Sequence, residues 1–176
     1  MQETSRRSKT QRTNRNLGGM EVQSKGTSRT DESGEIKKQE IENFHILYTN
    51  ADSLMNKRHE LLIRLSTLKV KPHIIAITEV KNKTKENFNS AELNIKGYYM
   101  FTNDLQTCSR GVIIYVQNSL KAKQLDYDLP FQESVTVEIK AHNCALTICN
   151  IYRSPNSSQE NNICLNAFIE NLVVKS

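Results

Sequence analysis

The chain has 176 residues and a formal net charge of +5, which suits one domain with or without a tail. The charge is uneven: residues 1–30 hold seven basic and two acidic residues while residues 31–176 hold seventeen of each, so the pI of 9.0 describes the N-terminal segment and not a basic fold. No run of about 18 apolar residues exists to span a membrane as a helix, and no apolar run follows the N-terminal charges, so no secretion signal is read and the expected setting is the nucleus or cytoplasm.

Residues 1–39 offer only Leu17, Met20, Val22 and Ile36 as sizeable apolar side chains. That is too little apolar surface to offset the entropy of ordering, and the segment is expected to be a disordered basic and polar tail. Arg6, Arg7, Lys9, Arg12 and Arg15 suit attraction to nucleic-acid phosphates, a nuclear-entry signal or a transit peptide, although their scatter favours a solvated linker with no role. Cys108, Cys144, Cys149 and Cys164 form no Cys-x-x-Cys pair and have no histidine at zinc-site spacing, so they are expected to be reduced and mostly buried.

The folded domain is expected over residues 40–176. Phe44, Ile46 and Tyr48 alternate with His45 and Leu47, which predicts a strand covered on both faces. Ser53 stands where a helix N-cap belongs, and Leu54, Leu61, Leu62, Leu65 and Leu68 then form one helical stripe. After Pro72, residues 73–78 (HIIAIT) read as a short buried strand. Strand, helix and strand at this spacing predict a right-handed crossover between neighbouring parallel strands. Residues 81–96 are polar and irregular, with one helical turn expected around Ser90–Leu93. Strands follow at 97–101 and 112–116, separated by a loop or hairpin turn over 103–111 and closed by a turn at 117–119. Residues 134–139 and 145–152 are predicted to pair antiparallel across the short connection at His142-Asn143. Residues 154–158 break the chain, and 160–174 predict an amphipathic helix with Ile163, Phe168, Ile169 and Leu172 turned inward.

The first strand ends in Asn50-Ala51-Asp52 and the next in Thr78-Glu79. Neighbouring strands that bring these groups to one edge offer hard oxygens for a divalent cation beside a phosphate. Glu79 follows an apolar strand, where a carboxylate needs a cation or a hydrogen-bond network. On spacing alone the plainer outcome prevails: a strand-end glutamate in solvent, with Asn50 and Asp52 as turn or cap residues.

The order of the motifs shifts that balance. The motifs are Asn50-Ala51-Asp52-Ser53-Leu54 with Asn56-Lys57 and Glu60-Leu61, then residues 71–79 (KPHIIAITE), then Gly97-Tyr98 with Arg110-Gly111 and residues 112–116, then Asn150-Ile151-Tyr152-Arg153-Ser154-Pro155-Asn156. In this order they resemble the endonuclease/exonuclease/phosphatase superfamily, over about residues 41–176. The likeness is greatest to the apurinic-type endonuclease domain that precedes reverse transcriptase in non-LTR retrotransposons. No single motif is specific; the set in order is. The resemblance implies an α/β (α+β) fold, a four-layer αββα sandwich of two face-to-face sheets with helices outside. It implies hydrolysis of DNA phosphodiester bonds assisted by Mg2+ or Mn2+, the nick in target-site DNA priming reverse transcription. Position by position, Glu79 corresponds to the metal-ligating glutamate. Asn50 corresponds to the asparagine that helps hold metal and phosphate, and Tyr152 to the tyrosine that approaches the scissile phosphate. Asp52 falls where members carry Asp or Arg, and Arg153 and Asn156 stand beside the tyrosine as candidate substrate contacts.

The departures from the pattern carry their own expectations. One glycine, Gly111, follows Arg110 where members carry two. The family's Asp-x-Asn and terminal Ser-Asp-His motifs have no match, and His45, His59, His73 and His142 all lie outside the family contexts, which reads them as structural or exposed. The chain is therefore expected to be truncated after roughly the first half of the sandwich, with part of an inner sheet face and a strand edge open. Little or no cutting is expected from it alone. DNA is the expected ligand, the missing C-terminal half or a reverse transcriptase domain the expected protein partner, and no membrane is implied. Two further readings stay open. One is a non-catalytic retroelement remnant that binds nucleic acid weakly through its tail. The other is a phosphatase of the same superfamily, which fits Asn50 and Glu79 better than it fits Tyr152-Arg153-Ser154-Pro155.

Overall fold

The computed structural model describes residues 19–23, 43–81, 89–141 and 144–175. In chain order the elements are β1 (Gly19–Gln23), β2 (Asn43–Asn50), α1 (Leu54–Thr67), β3 (Ile74–Thr78), a single 3-10 turn (Ser90–Leu93), β4 (Tyr98–Thr102), β5 (Val112–Gln117), β6 (Lys121–Leu125), β7 (Ser134–Ala141), β8 (Cys144–Ile151) and α2 (Gln159–Lys175). Among the described residues, β1-β2-β3-β5-β4 form one sheet in that spatial order and β6-β7-β8 form another.

The apolar runs explain the layering. β3 is buried at every position and β5 at all but its last, Gln117. Such strands are stable only with both faces covered. On one face, Leu54, Leu61 and Leu65 of α1 cluster with Ile75, Ile77, Ile113 and Tyr115. On the other, Ile74, Val112, Ile114 and Val116 meet Val135, Val137 and Ile139 of the second sheet. The two sheets thus lie face to face with α1 outside the larger one, the α/β sandwich expected from the sequence. α2 is anchored by Phe168, which is buried against the rings of Tyr127 and Phe131 in the β6–β7 connection. Burying that side chain contributes about 1.5–3 kcal/mol. No helix among the described residues is long and apolar enough to cross a membrane.

The crossover matters most for the site. β2 and β3 pair in parallel, with Asn50 opposite Thr78, as a connection through a full helix allows. β5 lies antiparallel to β3, with Val112 opposite Thr78. The C-terminal ends of β2 and β3 and the start of β5 therefore share one edge of the sheet.

Several local expectations are revised. Gly19–Gln23 lies inside the segment 1–39 expected to lack structure, yet it pairs antiparallel with β2, Met20 opposite Ile46 and Val22 opposite Phe44. An open strand edge captures extended backbone through main-chain hydrogen bonds, which a count of apolar side chains does not register. The rest of 1–39 lies outside the described residues. Ser53 does precede α1, but in a left-handed conformation and without a side-chain cap bond. β6 (KAKQL) was not expected, because its exposed Lys121, Lys123 and Gln124 hide any alternation; main-chain pairing with β7 makes it a strand. In α2, Ile163 and Ile169 are exposed, not inward. Leu165 and Leu172, half-buried, flank Phe168 at i−3 and i+4, the narrower stripe that the Tyr127–Phe131 seat accepts. Cys108 is buried as expected, whereas the Cys164 thiol is exposed. Beside the second sheet, Phe44 and Ile46 of β2 are half-buried and Tyr48 is exposed, so the inner face is incompletely covered among the described residues. His142 and Asn143 lie outside the described residues.

Candidate active site

The edge is built first from backbone. Where β2 ends, the Ala51 N–H donates to Thr78 O at 2.9 Å, the Ser53 N–H to Glu79 O at 2.8 Å and the Leu54 N–H to Val80 O at 2.8 Å. The chain leaving β2 is thereby laced to the chain leaving β3. The non-glycine residues with positive φ among the described residues are Asp52, Ser53 and Glu79, at 45°, 81° and 56°. Strained backbone is thus confined to this one edge.

The third wall is the loop before β5. Gly111 has φ +77°, and a Cβ there would come within 2.6 Å of Leu105 Cδ2, so glycine is required. The Glu133 carboxylate accepts from the Ser109, Arg110 and Gly111 N–H groups at 2.5, 3.0 and 2.8 Å. The Glu133 carbonyl accepts from the Tyr152 N–H at 2.8 Å. One residue therefore fixes both the Arg110 loop and the end of β8. Two residues before Tyr152, Asn150 is buried and its Nδ2 donates to Ile77 O at 2.9 Å and Ile113 O at 3.0 Å, tying β8 to β3 and β5 across the sandwich.

Side chains then converge on Glu79. Asn50 Nδ2 donates to Glu79 Oε1 at 2.7 Å while Asn50 Oδ1 accepts from the Asp52 N–H at 3.1 Å. Arg110 Nη2 is ion-paired with Glu79 Oε2 and, at 2.7 Å, with Asp52 Oδ1. The Tyr152 hydroxyl lies close enough to Glu79 for the two groups to shift each other's titration. Burial pulls the Glu79 carboxyl upward, but the Asn50 and Arg110 hydrogen bonds, the Arg110 charge and the Tyr152 hydroxyl outweigh it, and its pKa lies below the ordinary value. Burial and the Glu79 charge hold the Tyr152 phenol above its ordinary value, so it keeps its proton at neutral pH. Arg110 is raised: burial works against its charge, and the two carboxylates more than offset that.

Of the residues singled out from sequence, Asn50, Asp52, Glu79 and Tyr152 are brought together. Arg153 and Asn156 are not: Arg153 Nε donates to Asn162 Oδ1 of α2 at 2.7 Å, and Asn156 is exposed in the turn before that helix. His73 sits at the opposite end of β3, where its Nδ1 accepts from the His45 N–H at 3.0 Å, and His59 is exposed on α1. Arg110, Glu133 and Asn150 were missed as site residues. Arg110 and Asn150 had a signal, a polar residue directly flanking an apolar strand within a quoted motif; Glu133 had none.

No family model matches this sequence, and no curated protein does. A solved structure does match: the endonuclease domain of TRAS1, a telomere-specific non-LTR retrotransposon, with a TM-score of 0.55 and 20% identity over 74% of this chain and 53% of that one. Over the matched part, the chain shares the fold of that domain. It spans about half the length of that neighbour.

The cluster offers oxygen donors of the kind that a divalent cation takes. Glu79 Oε2 and Asp52 Oδ1 both face a single nitrogen of Arg110, so two hard oxygens converge on one cationic point, which is Mg2+ or Mn2+ donor chemistry. Among the described residues, no cluster of three or more His, Cys, Asp and Glu gathers. A divalent cation held by two such oxygens would take the rest of its shell from water and substrate.

Proposed function

We propose that this chain carries the phosphate-facing part of a retrotransposon-type endonuclease site, built to hydrolyse DNA phosphodiester bonds with Mg2+ or Mn2+, and that alone it cuts little or not at all. The observation that carries the reading is the gathering of Asn50, Glu79 and Tyr152 at one strained edge of a fold like that of the TRAS1 endonuclease domain. Glu79 and Asp52 would hold the cation, which when bound supplies positive charge against the phosphoryl and leaving-group oxygens. Asn50 keeps the Glu79 carboxylate aimed and ionised. Tyr152, protonated at neutral pH, offers a hydrogen bond to a phosphate oxygen. Among the described residues no histidine joins the cluster to move a proton to the leaving group, which supports weak or absent cutting.

The test pairs binding with cutting, using the whole chain. Binding of a labelled duplex by fluorescence anisotropy is expected to strengthen with Mg2+ and to lose that increment in Glu79→Ala. Binding indifferent to Mg2+ and to Glu79, but lost on deleting residues 1–30, would replace this reading with that of a remnant acting through its tail. Plasmid nicking is expected at background level; Mg2+-dependent nicking abolished by Glu79→Ala would overturn the expectation of inactivity.

A further inference from the structure

We propose that Arg110 sets the affinity of this site for a divalent cation, because its guanidinium occupies the point between Glu79 and Asp52 that the cation would take and must leave for the cation to enter. The inference rests on the reading that the site binds such a cation. Its ground is the unusual placement of the arginine. Arg110 is 7% exposed, and a single nitrogen, Nη2, makes both ion pairs. The other two nitrogens, Nε and Nη1, are buried without a hydrogen-bond partner. A guanidinium placed for structure satisfies its donors, since a buried unpaired donor is costly. This one is held by two carboxylates against that cost, so whatever competes for the carboxylates releases it.

The surroundings decide which part moves. The Arg110 backbone is pinned on both sides: its N–H donates to Glu133 Oε1 at 3.0 Å and its carbonyl accepts from the Lys81 N–H at 2.7 Å. The loop stays and the side chain is the mobile element. The way out passes Asp52, whose side chain is 62% exposed while that of Glu79 is 15% exposed. Electrostatics give the direction of the effect. Two carboxylates with a guanidinium between them present one net negative charge; without the guanidinium they present two, and repulsion between it and the cation disappears. Arg110 therefore weakens cation binding and keeps the carboxylates half-neutralised until a cation is abundant enough to displace it.

The test is Mn2+ binding to the whole chain, followed by the electron paramagnetic resonance of free Mn2+, for wild type, Arg110→Met and Glu79→Gln. Arg110→Met is expected to bind Mn2+ tighter by about tenfold or more, and Glu79→Gln more weakly than wild type. Equal or weaker binding by a folded Arg110→Met overturns the inference. Should that variant not fold, the wild type decides: in a Mg2+ titration the Arg110 Nε–H nuclear magnetic resonance signal is expected to shift, and to exchange faster with water, as the guanidinium is freed. An unmoved Arg110 signal while the Glu79 carboxyl carbon shifts overturns the inference with the cation reading intact. Mn2+ binding by neither wild type nor Arg110→Met sinks the cation reading and this inference together.

Discussion

Replacing Asn150 by aspartate tests the link between the two sheets with the least change of shape. The amide donates to two main-chain carbonyls, Ile77 O and Ile113 O, from a position 4% exposed. Asn150→Asp keeps the side-chain outline and turns a double donor into an acceptor facing two acceptors. The two lost hydrogen bonds cost about 1 kcal/mol each. Burial beside the carbonyl oxygens raises the folded-state pKa of the introduced carboxyl by roughly 2–3 units, each worth about 1.4 kcal/mol once the pH exceeds it. The expected destabilisation at pH 7 is about 4–6 kcal/mol, a large share of the roughly 5–15 kcal/mol that holds a domain together. The sign follows from linkage. A folded pKa above the unfolded value of about 3.9 means that the native state keeps its proton longer, so the penalty grows as pH rises through the folded pKa and shrinks toward acid. Urea unfolding of variant and wild type at pH 7 and pH 5, followed by circular dichroism, should show the difference between them falling by about 2 kcal/mol at the lower pH. A penalty below about 1 kcal/mol, or one equal at both pH values, would refute the bridge from β8 to β3 and β5.

Gly111→Ala should cost about 2–4 kcal/mol in the same assay, from a left-handed backbone and a Cβ placed 2.6 Å from Leu105 Cδ2; a loss under about 1 kcal/mol would mean that the loop relaxes freely. Glu133→Ala leaves the N–H groups of Ser109, Arg110 and Gly111 without their acceptor, so amide exchange at those residues should accelerate and stability fall by about 1–3 kcal/mol; unchanged exchange contradicts the role given to Glu133. The Glu79 pKa lies below its ordinary value of 4.5, so its contribution is present above that pH and is lost as pH falls through the folded pKa. The stability difference between wild type and Glu79→Gln should shrink with acid, and a Glu79 carboxyl titrating above 4.5 would rule the cluster out.

Much of the fold was legible because its signals are local. The β2–α1–β3 crossover shows in the leucine stripe of α1 and the unbroken apolar run of β3, and both imply covered faces. The gathering of Asn50 and Glu79 follows from that crossover, since parallel strands end at the same edge. What stayed hidden depends on main chain or on distant partners. β1 and β6 are strands by edge pairing: β1 has only Met20 and Val22 as an apolar alternation, too short to stand out in a polar segment, and β6 has none. The inward face of α2 is chosen by Tyr127 and Phe131, more than thirty residues away, so Ile163 and Ile169 compete equally with Leu165 on pattern alone. Glu133 acts on backbone N–H groups, and no residue type in the Ser109–Gly111 stretch announces that its donors need a carboxylate.

The strain at the edge is the strongest structural reason to regard it as a site. Each left-handed non-glycine residue costs about 1–2 kcal/mol, and Asp52, Ser53 and Glu79 all carry that cost side by side. The Ala51, Ser53 and Leu54 N–H bonds to the end of β3 return about 1 kcal/mol apiece, so backbone energetics are at best balanced. Ser53 adds a buried hydroxyl without a partner, and Arg110 two buried nitrogens without one. A sequence selected for stability alone would place glycine at the left-handed positions and apolar groups at the buried ones. What the arrangement yields instead is two carboxylates and an amide held within reach of one another beside a protonated phenol, a grouping that an unstrained end of β2 and β3 would let spread into solvent.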